Sequence, residues 1–328
     1  ESISVGGRAA KQGPTLFALA MCARLGDVEC RRAAYMALGK ICRIPTHLFT
    51  FIGFAEVLGD GSGWGRMQRR AIAEWYRRDP KTLAYAVTKY RNREGWTHLD
   101  VLRLAHVKPV TPGHSVVFNY VVKGWDAAVT AELAESDANA AAAVALLAAI
   151  EEAKTCDKPR LLQLITEHRL AREHLPTEAL ADGDVWFTLL PAMGLTALIR
   201  NLGKMTNLGL IAPLSPATEM VVAKLGDVEG LRRARVHPFS VLLALTQYKN
   251  GQGDKGSLTW TPVPAVIAAL DQAFYDAFAT VEPTGKRFVI AMDVSGSMTC
   301  GGINGARAIT PRVGAAAMAM VTMSDDER

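Results

Sequence analysis

From residue 14 to about residue 280 this chain starts, stops and restarts helices, and each restart carries its own chemical mark. Pro14 opens one helix and Gly26 closes it, with Leu16, Leu19, Ala20 and Cys22 along the apolar side. Asp27 is placed to cap the next, which runs to about Cys42, and Pro45-Thr46 starts another. Asp79-Pro80 is a cap followed by proline at the first helical position. Thr97-x-x-Asp100 has the spacing of a capping box ahead of Val101, Leu102 and Leu104. Further starts fall near Asp184, Ser215, Pro238 and Pro262. Ala140 to Ile150 is the longest apolar run, about half a membrane span, and reads as a core helix.

Short helices joined by short turns bury their apolar stripes only by packing on their neighbours. The pattern therefore predicts a mainly α fold, an α-solenoid or irregular bundle of antiparallel helix pairs. No clean period is visible, so any repeats are degenerate, of HEAT or armadillo kind. Residues 250–256 and 282–285 read as polar linkers.

The exception follows the second linker. Lys286-Arg-Phe-Val-Ile-Ala-Met-Asp-Val-Ser-Gly-Ser-Met298 reads as a buried parallel strand ending in Asp293-x-Ser295-x-Ser297. Three hard oxygens converging past a strand end suit a divalent cation such as Mg²⁺. The alternative is a strand-end turn in which Asp and Ser satisfy backbone donors. A Gly-rich stretch and a small-residue helix from about Pro311 to Met323 follow, completing the opening unit of an α/β domain. The predicted organisation is a helical domain over 1–284 and the start of a second domain over 285–328.

Hydrophobic content of 49% and charged content of 21% describe a globular chain. The five cysteines are scattered without a CxxC pair, which argues for a reducing compartment. Cys22, Cys30 and Cys42 fall within helical patterns and read as small core residues. The start lacks a signal peptide pattern and reads as the interior of a longer chain. The histidines lack HExxH spacing, and GxSxG and Walker motifs are missing, so no catalytic constellation is expected. The clusters Arg43 to His47 and Arg169 to His174 lack a nucleophile or metal partner. Gly251-x-Gly253-x-x-Gly256 matches a dinucleotide fingerprint but follows a helical pattern, so it reads as linker.

Charge is uneven. Residues 66–108 hold eleven basic side chains against four acids, a larger excess than the +5 of the whole chain. Trp64, Trp75, Tyr76, Tyr85, Tyr90 and Trp96 are interleaved with them. Cations neutralise phosphates and aromatic faces stack on unpaired bases, so the segment is a candidate RNA surface. Lys89 and Arg93 are neighbours if the Pro80 helix continues through both, and a turn at Gly95 would bring His106 alongside. The alternative is a solvated helix face with Trp75 and Trp96 in the core. A second cluster, Arg232, Arg233, Arg235 and His237, has the same two readings.

Several long strings carry a resemblance. They are Cys42-Arg-Ile-Pro-Thr-His-Leu-Phe-Thr-Phe-Ile52, Ala86-Val-Thr-Lys-Tyr90, Gly95-Trp96, Asn201-Leu-Gly-Lys-Met205 and Val281-Glu-Pro-Thr-Gly-Lys-Arg-Phe288. From about Lys11 onward the chain resembles the Ro autoantigen family, built on the domain shared by telomerase-associated, Ro and vault proteins (TROVE). The resemblance implies a ring of HEAT-like helical repeats closed by a von Willebrand factor A domain. It implies a non-enzymatic ribonucleoprotein component that binds small noncoding Y RNAs outside the ring and misfolded RNA 3′ ends in its hole. The implied role is RNA quality control and small-RNA stabilisation, in the cytoplasm and, in a eukaryote, also the nucleus. By matching position, Lys89, Arg93 and His106 would be Y RNA contacts. Asp293, Ser295 and Ser297 match the first part of a metal-ion-dependent adhesion site (MIDAS). Its remaining Thr and Asp come from later loops of the family pattern, so Mg²⁺ is expected to be absent or weakly held here. The alternative function is a helical scaffold whose A domain binds a protein ligand through Mg²⁺. No membrane partner is expected.

Overall fold

The computed structural model describes residues 1–6, 9, 11–135, 137–253, 257–281, 285–304 and 306–326. It is mainly α. In chain order the helices are α1 Ser2–Val5, α2 Gly13–Leu25, α3 Val28–Ile41, α4 Pro45–Gly59, α5 Arg66–Trp75 and α6 Pro80–Lys89. A small hairpin, β1 Asn92–Arg93 and β2 Trp96–Thr97, precedes α7 His98–Ala105, α8 Pro112–Lys123, α9 Ala127–Ala134, α10 Ala138–Glu152 and α11 Lys158–His168. Then come α12 Gly183–Leu189, α13 Leu195–Asn207, α14 Pro216–Leu225, α15 Val228–Ala234, α16 Pro238–Lys249, α17 Pro264–Asp276 and α18 Pro311–Asp326.

The predicted starts are built as their chemistry requires. The Asp27 carboxylate accepts from the Cys30 N–H at 2.8 Å, and Asp79 accepts from Thr82 at 2.9 Å. At α7 both halves of the capping box form: Asp100 N–H donates to Thr97 Oγ1, and Thr97 N–H donates to Asp100 Oδ2. Each such cap contributes about 1 kcal/mol by satisfying donors that the first turn leaves open.

The chain divides into two compact units, the first essentially residues 1–176 and the second residues 177–328. In the first, α2 packs on α3 and α4, α5 on α3 and α7, and α10 on α6 and α8. Leu48, Phe49, Phe51, Ile52, Tyr76 and Leu83 lie fully buried in it. In the second, α16 packs on α13, α17 and α18, and α17 on α14. Trp260 seals one side of it: the indole N–H donates to the Tyr248 carbonyl, and a Cβ on Gly203 would strike the indole ring at 2.6 Å. No described helix is long and apolar enough to cross a membrane.

Two expectations are corrected. Residues 286–294 form no strand, and Val289 and Val294 stand 101% and 88% exposed. A parallel strand draws its hydrogen bonds and burial from neighbouring strands. Among the described residues the only sheet is the β1–β2 hairpin, so this apolar run has no ladder to join. Cys22 is exposed and Cys30 half-buried, while Cys42 alone of the three is core, its thiol pushed up to about 12 by burial. The small-residue helix after the motif is present as α18. The boundary expected at 282–285 falls on residues 282–284, and the end of the 250–256 linker on residues 254–256; both lie outside the described residues.

Candidate nucleic-acid interface

The basic segment 66–108 becomes α5, α6, the hairpin and α7. Helix α6 stops at Lys89, where the Tyr90 N–H closes the last turn onto the Ala86 carbonyl. Lys89 and Arg93 are therefore not successive turns of one helix, as the four-residue spacing suggested. They meet by another route. Glu94 and Gly95 both have positive φ, 53° and 78°, the pattern of a two-residue type I′ turn. That turn sets Arg93 opposite Trp96 on the ribbon.

Tyr90 lies between the two cations. Lys89 Nζ sits 5.5 Å from its ring centroid and Arg93 Cζ 5.7 Å, while Lys89 also lies 5.3 Å from Tyr85. Such cation–π contacts hold long side chains near an aromatic face without neutralising them. Burial pulls the Lys89 ammonium below the usual lysine range, with Glu173 pulling it back. Behind Tyr85, the buried His174 fixes the floor. Its Nδ1 accepts from the Ala171 N–H at 3.0 Å, so Nε2 carries the proton and donates to Thr88 Oγ1 at 3.2 Å. Burial, the largest influence, drops its pKa to about 4, so it stays neutral.

His106 ends α7 in the left-handed conformation, φ 52°, and its side chain is exposed. Among the described residues no hydrogen bond or ring contact joins it to Lys89 or Arg93.

The rest of the segment splits between surface and structure. Arg66, Arg69, Arg70, Lys81, Arg91, Arg103 and Lys108 are exposed, without a salt bridge among the described residues. Arg78 is structural: its guanidinium lies 4.0 Å over Trp75 and donates to the Arg43 and Cys42 carbonyls at 2.7 and 3.1 Å. Trp64, Trp75 and Tyr76 are buried at 8%, 2% and 0% exposure, and only Tyr85, Tyr90 and Trp96 remain part-exposed. In the second basic cluster, Arg233 pairs with Asp227 at 3.4 Å and His237 is buried as the cap of α16.

A family model described as TROVE domain matches residues 2–247. The chain belongs to the TROVE family. It is 37% identical, over 97% of its length, to a Deinococcus radiodurans protein named RNA-binding protein RO60. It is 34% identical, over 90% of its length, to a Caenorhabditis elegans protein of the same name. The crystal structure of the D. radiodurans RO (RSR) protein aligns over 98% of this chain at 36% identity with a TM-score of 0.71. The chain spans 58% and 56% of the two relatives and 62% of the crystallised chain.

The TROVE chain also carries a hollow that sequence reasoning missed. Arg91 stands at a cavity of about 350 Å³ whose wall includes Trp125, Tyr120, Glu151 and Lys154. The Tyr120 hydroxyl donates to Glu151 at 2.6 Å, and Lys154 pairs with the same carboxylate. Burial pushes the Glu151 carboxyl up, but its bonds to Lys154 and Tyr120 outweigh this and hold it below the usual range. Trp125 and Lys154 lie far along the chain from the basic segment. Only the packing of α8, α10 and α6 gathers them, which no local motif announces.

At the other predicted site, the Asp293 carboxylate accepts from the Ser295 N–H at 2.9 Å, and the Ser295 and Ser297 hydroxyls lie 3.0 Å apart. These bonds link Asp293 to Ser295 and Ser295 to Ser297, so the carboxylate already serves a backbone donor of its own turn. Among the described residues no group of three or more His, Cys, Asp and Glu is placed to hold a metal ion.

Proposed function

We propose that this chain binds RNA through the α6–hairpin–α7 surface, with Lys89, Arg93 and His106 as backbone contacts and small structured noncoding RNAs of the Y RNA class as ligands. The observation that carries the reading is the Lys89–Tyr90–Arg93 cluster: two cations held on one aromatic ring, flanked by exposed basic side chains. Such a surface supplies affinity through phosphate neutralisation. The names of the relatives support RNA as the ligand. In the proposed role the chain acts without catalysis, as a ribonucleoprotein component in small-RNA stabilisation and quality control, with closure into a ring admitting misfolded RNA 3′ ends. Mg²⁺ is weakly held and dispensable for this binding.

The test is a fluorescence-anisotropy titration with a labelled Y RNA at several salt concentrations. Affinity is expected to fall steeply with salt. Changing Lys89, Arg93 and His106 together to Ala is expected to weaken binding at least tenfold. Equal binding by the parent and the triple variant would remove the site assignment. Asp293→Ala is expected to leave affinity unchanged.

A further inference from the structure

A second polar hollow lies in the first unit, between α2, α3 and the start of α5. Its volume is about 310 Å³, and Arg24, Arg31, Arg66, Tyr35, Ser62 and Gln68 line it without any Asp or Glu. Three guanidiniums around one space repel each other unless an anion joins them. Arg66 has no salt bridge among the described residues. Arg24 is held by neutral acceptors only: the Gly63 carbonyl at 3.0 Å, Gln68 Oε1 at 3.1 Å and Ser62 Oγ at 2.5 Å. Its position is built in, because a Cβ on Gly59 would overlap the guanidinium.

Gln68 is the telling residue. Its side chain is 1% exposed, and its Oε1 is fixed toward Arg24, a group that only donates. The amide nitrogen is left without a share in that bond, and Nε2 has no acceptor. Buried polar atoms are nearly always paired, so an orphan donor on a residue that lines a cationic hollow points to an acceptor that belongs there. Gly65, Arg66 and Met67 add the first turn of α5, a ten-residue helix whose cap is a glycine without a side-chain acceptor and whose first turn holds no acid. Its open N–H groups and positive dipole end favour an anion at the same place.

We propose that this hollow is a phosphate-binding site, in which Arg24, Arg31 and Arg66 neutralise the oxyanion and the Gln68 amide and the first turn of α5 donate to it. The site is separate from the Lys89–Arg93 surface and does not depend on it. Three sources share the chemistry: a terminal phosphate of RNA, an internal phosphodiester, or a free phosphate-bearing small molecule.

The test uses the full chain and three variants. Gln68→Glu keeps the oxygen that Arg24 needs and replaces the orphan donor with a carboxylate, which fills the role of the anion. Arg66→Gln removes an exposed, unpaired cation. Inorganic phosphate is titrated and its ³¹P linewidth followed. Broadening is expected for the parent, at least fivefold weaker binding for Arg66→Gln, and loss for Gln68→Glu, with the Gln68→Glu chain melting no lower than the parent.

Single-stranded RNAs with 5′-phosphate or 5′-hydroxyl ends then separate the sources. A 5′-phosphate preference that Gln68→Glu abolishes assigns the terminal group. Equal weakening for both RNAs assigns an internal phosphodiester. Unchanged RNA affinity with lost phosphate broadening assigns a small ligand. Absence of broadening in the parent, or equal broadening in Gln68→Glu, overturns the proposal. The Lys89→Ala variant is run beside them: it tests the RNA surface and is expected to leave the phosphate response intact.

Discussion

Residues 80–106 and residues 286–298 both announce themselves in the sequence, and they come to opposite ends. The first stretch is locked from within. Its caps and its two-residue turn are made by neighbours close at hand, and its buried face then rests on α10 and α8. The second has the right apolar run but lies outside any sheet with its valines in solvent. Helices satisfy their own backbone, whereas a strand borrows every ladder bond from another segment. A local signal is thus enough for a helix and only half of a strand.

The contrast is sharpest in stability. Leu83→Ala, at a fully buried position in α6, is expected to cost about 3 kcal/mol, read from urea denaturation. Less than 1 kcal/mol would mean that the α6 face is not part of the core. Next in size is a pH effect at His98, whose Nδ1 bonds the Tyr76 hydroxyl at 2.8 Å and whose pKa burial lowers to about 3. The unfolded chain takes up this proton first. The contribution is therefore intact above the unfolded value and fades as pH falls from about 6.5 toward 3. Between pH 6.5 and pH 5 the loss is about 2 kcal/mol, at about 1.4 kcal/mol per pH unit. Denaturation curves for His98→Gln should show a shallower pH slope than the parent, and parallel slopes would refute the assignment.

Thr97→Ala removes one arm of the α7 capping box and is expected to cost about 1 kcal/mol. At the small end, Val289→Ser should change stability by less than about 0.5 kcal/mol, since the side chain is wholly exposed. A large loss there would show that residues 286–294 are paired in solution after all, and would erase the contrast.

The sequence made the helical class legible because Pro, Asp and Thr mark helix starts by chemistry that acts within one turn. It also read Lys89 and Arg93 as neighbours, and they do meet at Tyr90, though by a hairpin in place of the shared helix it suggested. The aromatic count misled, because periodicity does not tell a ring that stacks on a base from one like Tyr76 that fills the core. Arg78 was counted with the free cations, but its donors are spent on the end of α3. The hollow beside Trp125 and the orphan amide of Gln68 arise from packing between distant helices, which leaves no local trace.

The hairpin at Glu94–Gly95 works as an indexing device. A β-ribbon alternates its side chains, so one residue added to or taken from the turn would carry Arg93 to the opposite face. Few core contacts would be disturbed, and the chain would still fold. A family of related chains could thus switch this cation on or off through loop length alone, with every basic residue still present in the sequence.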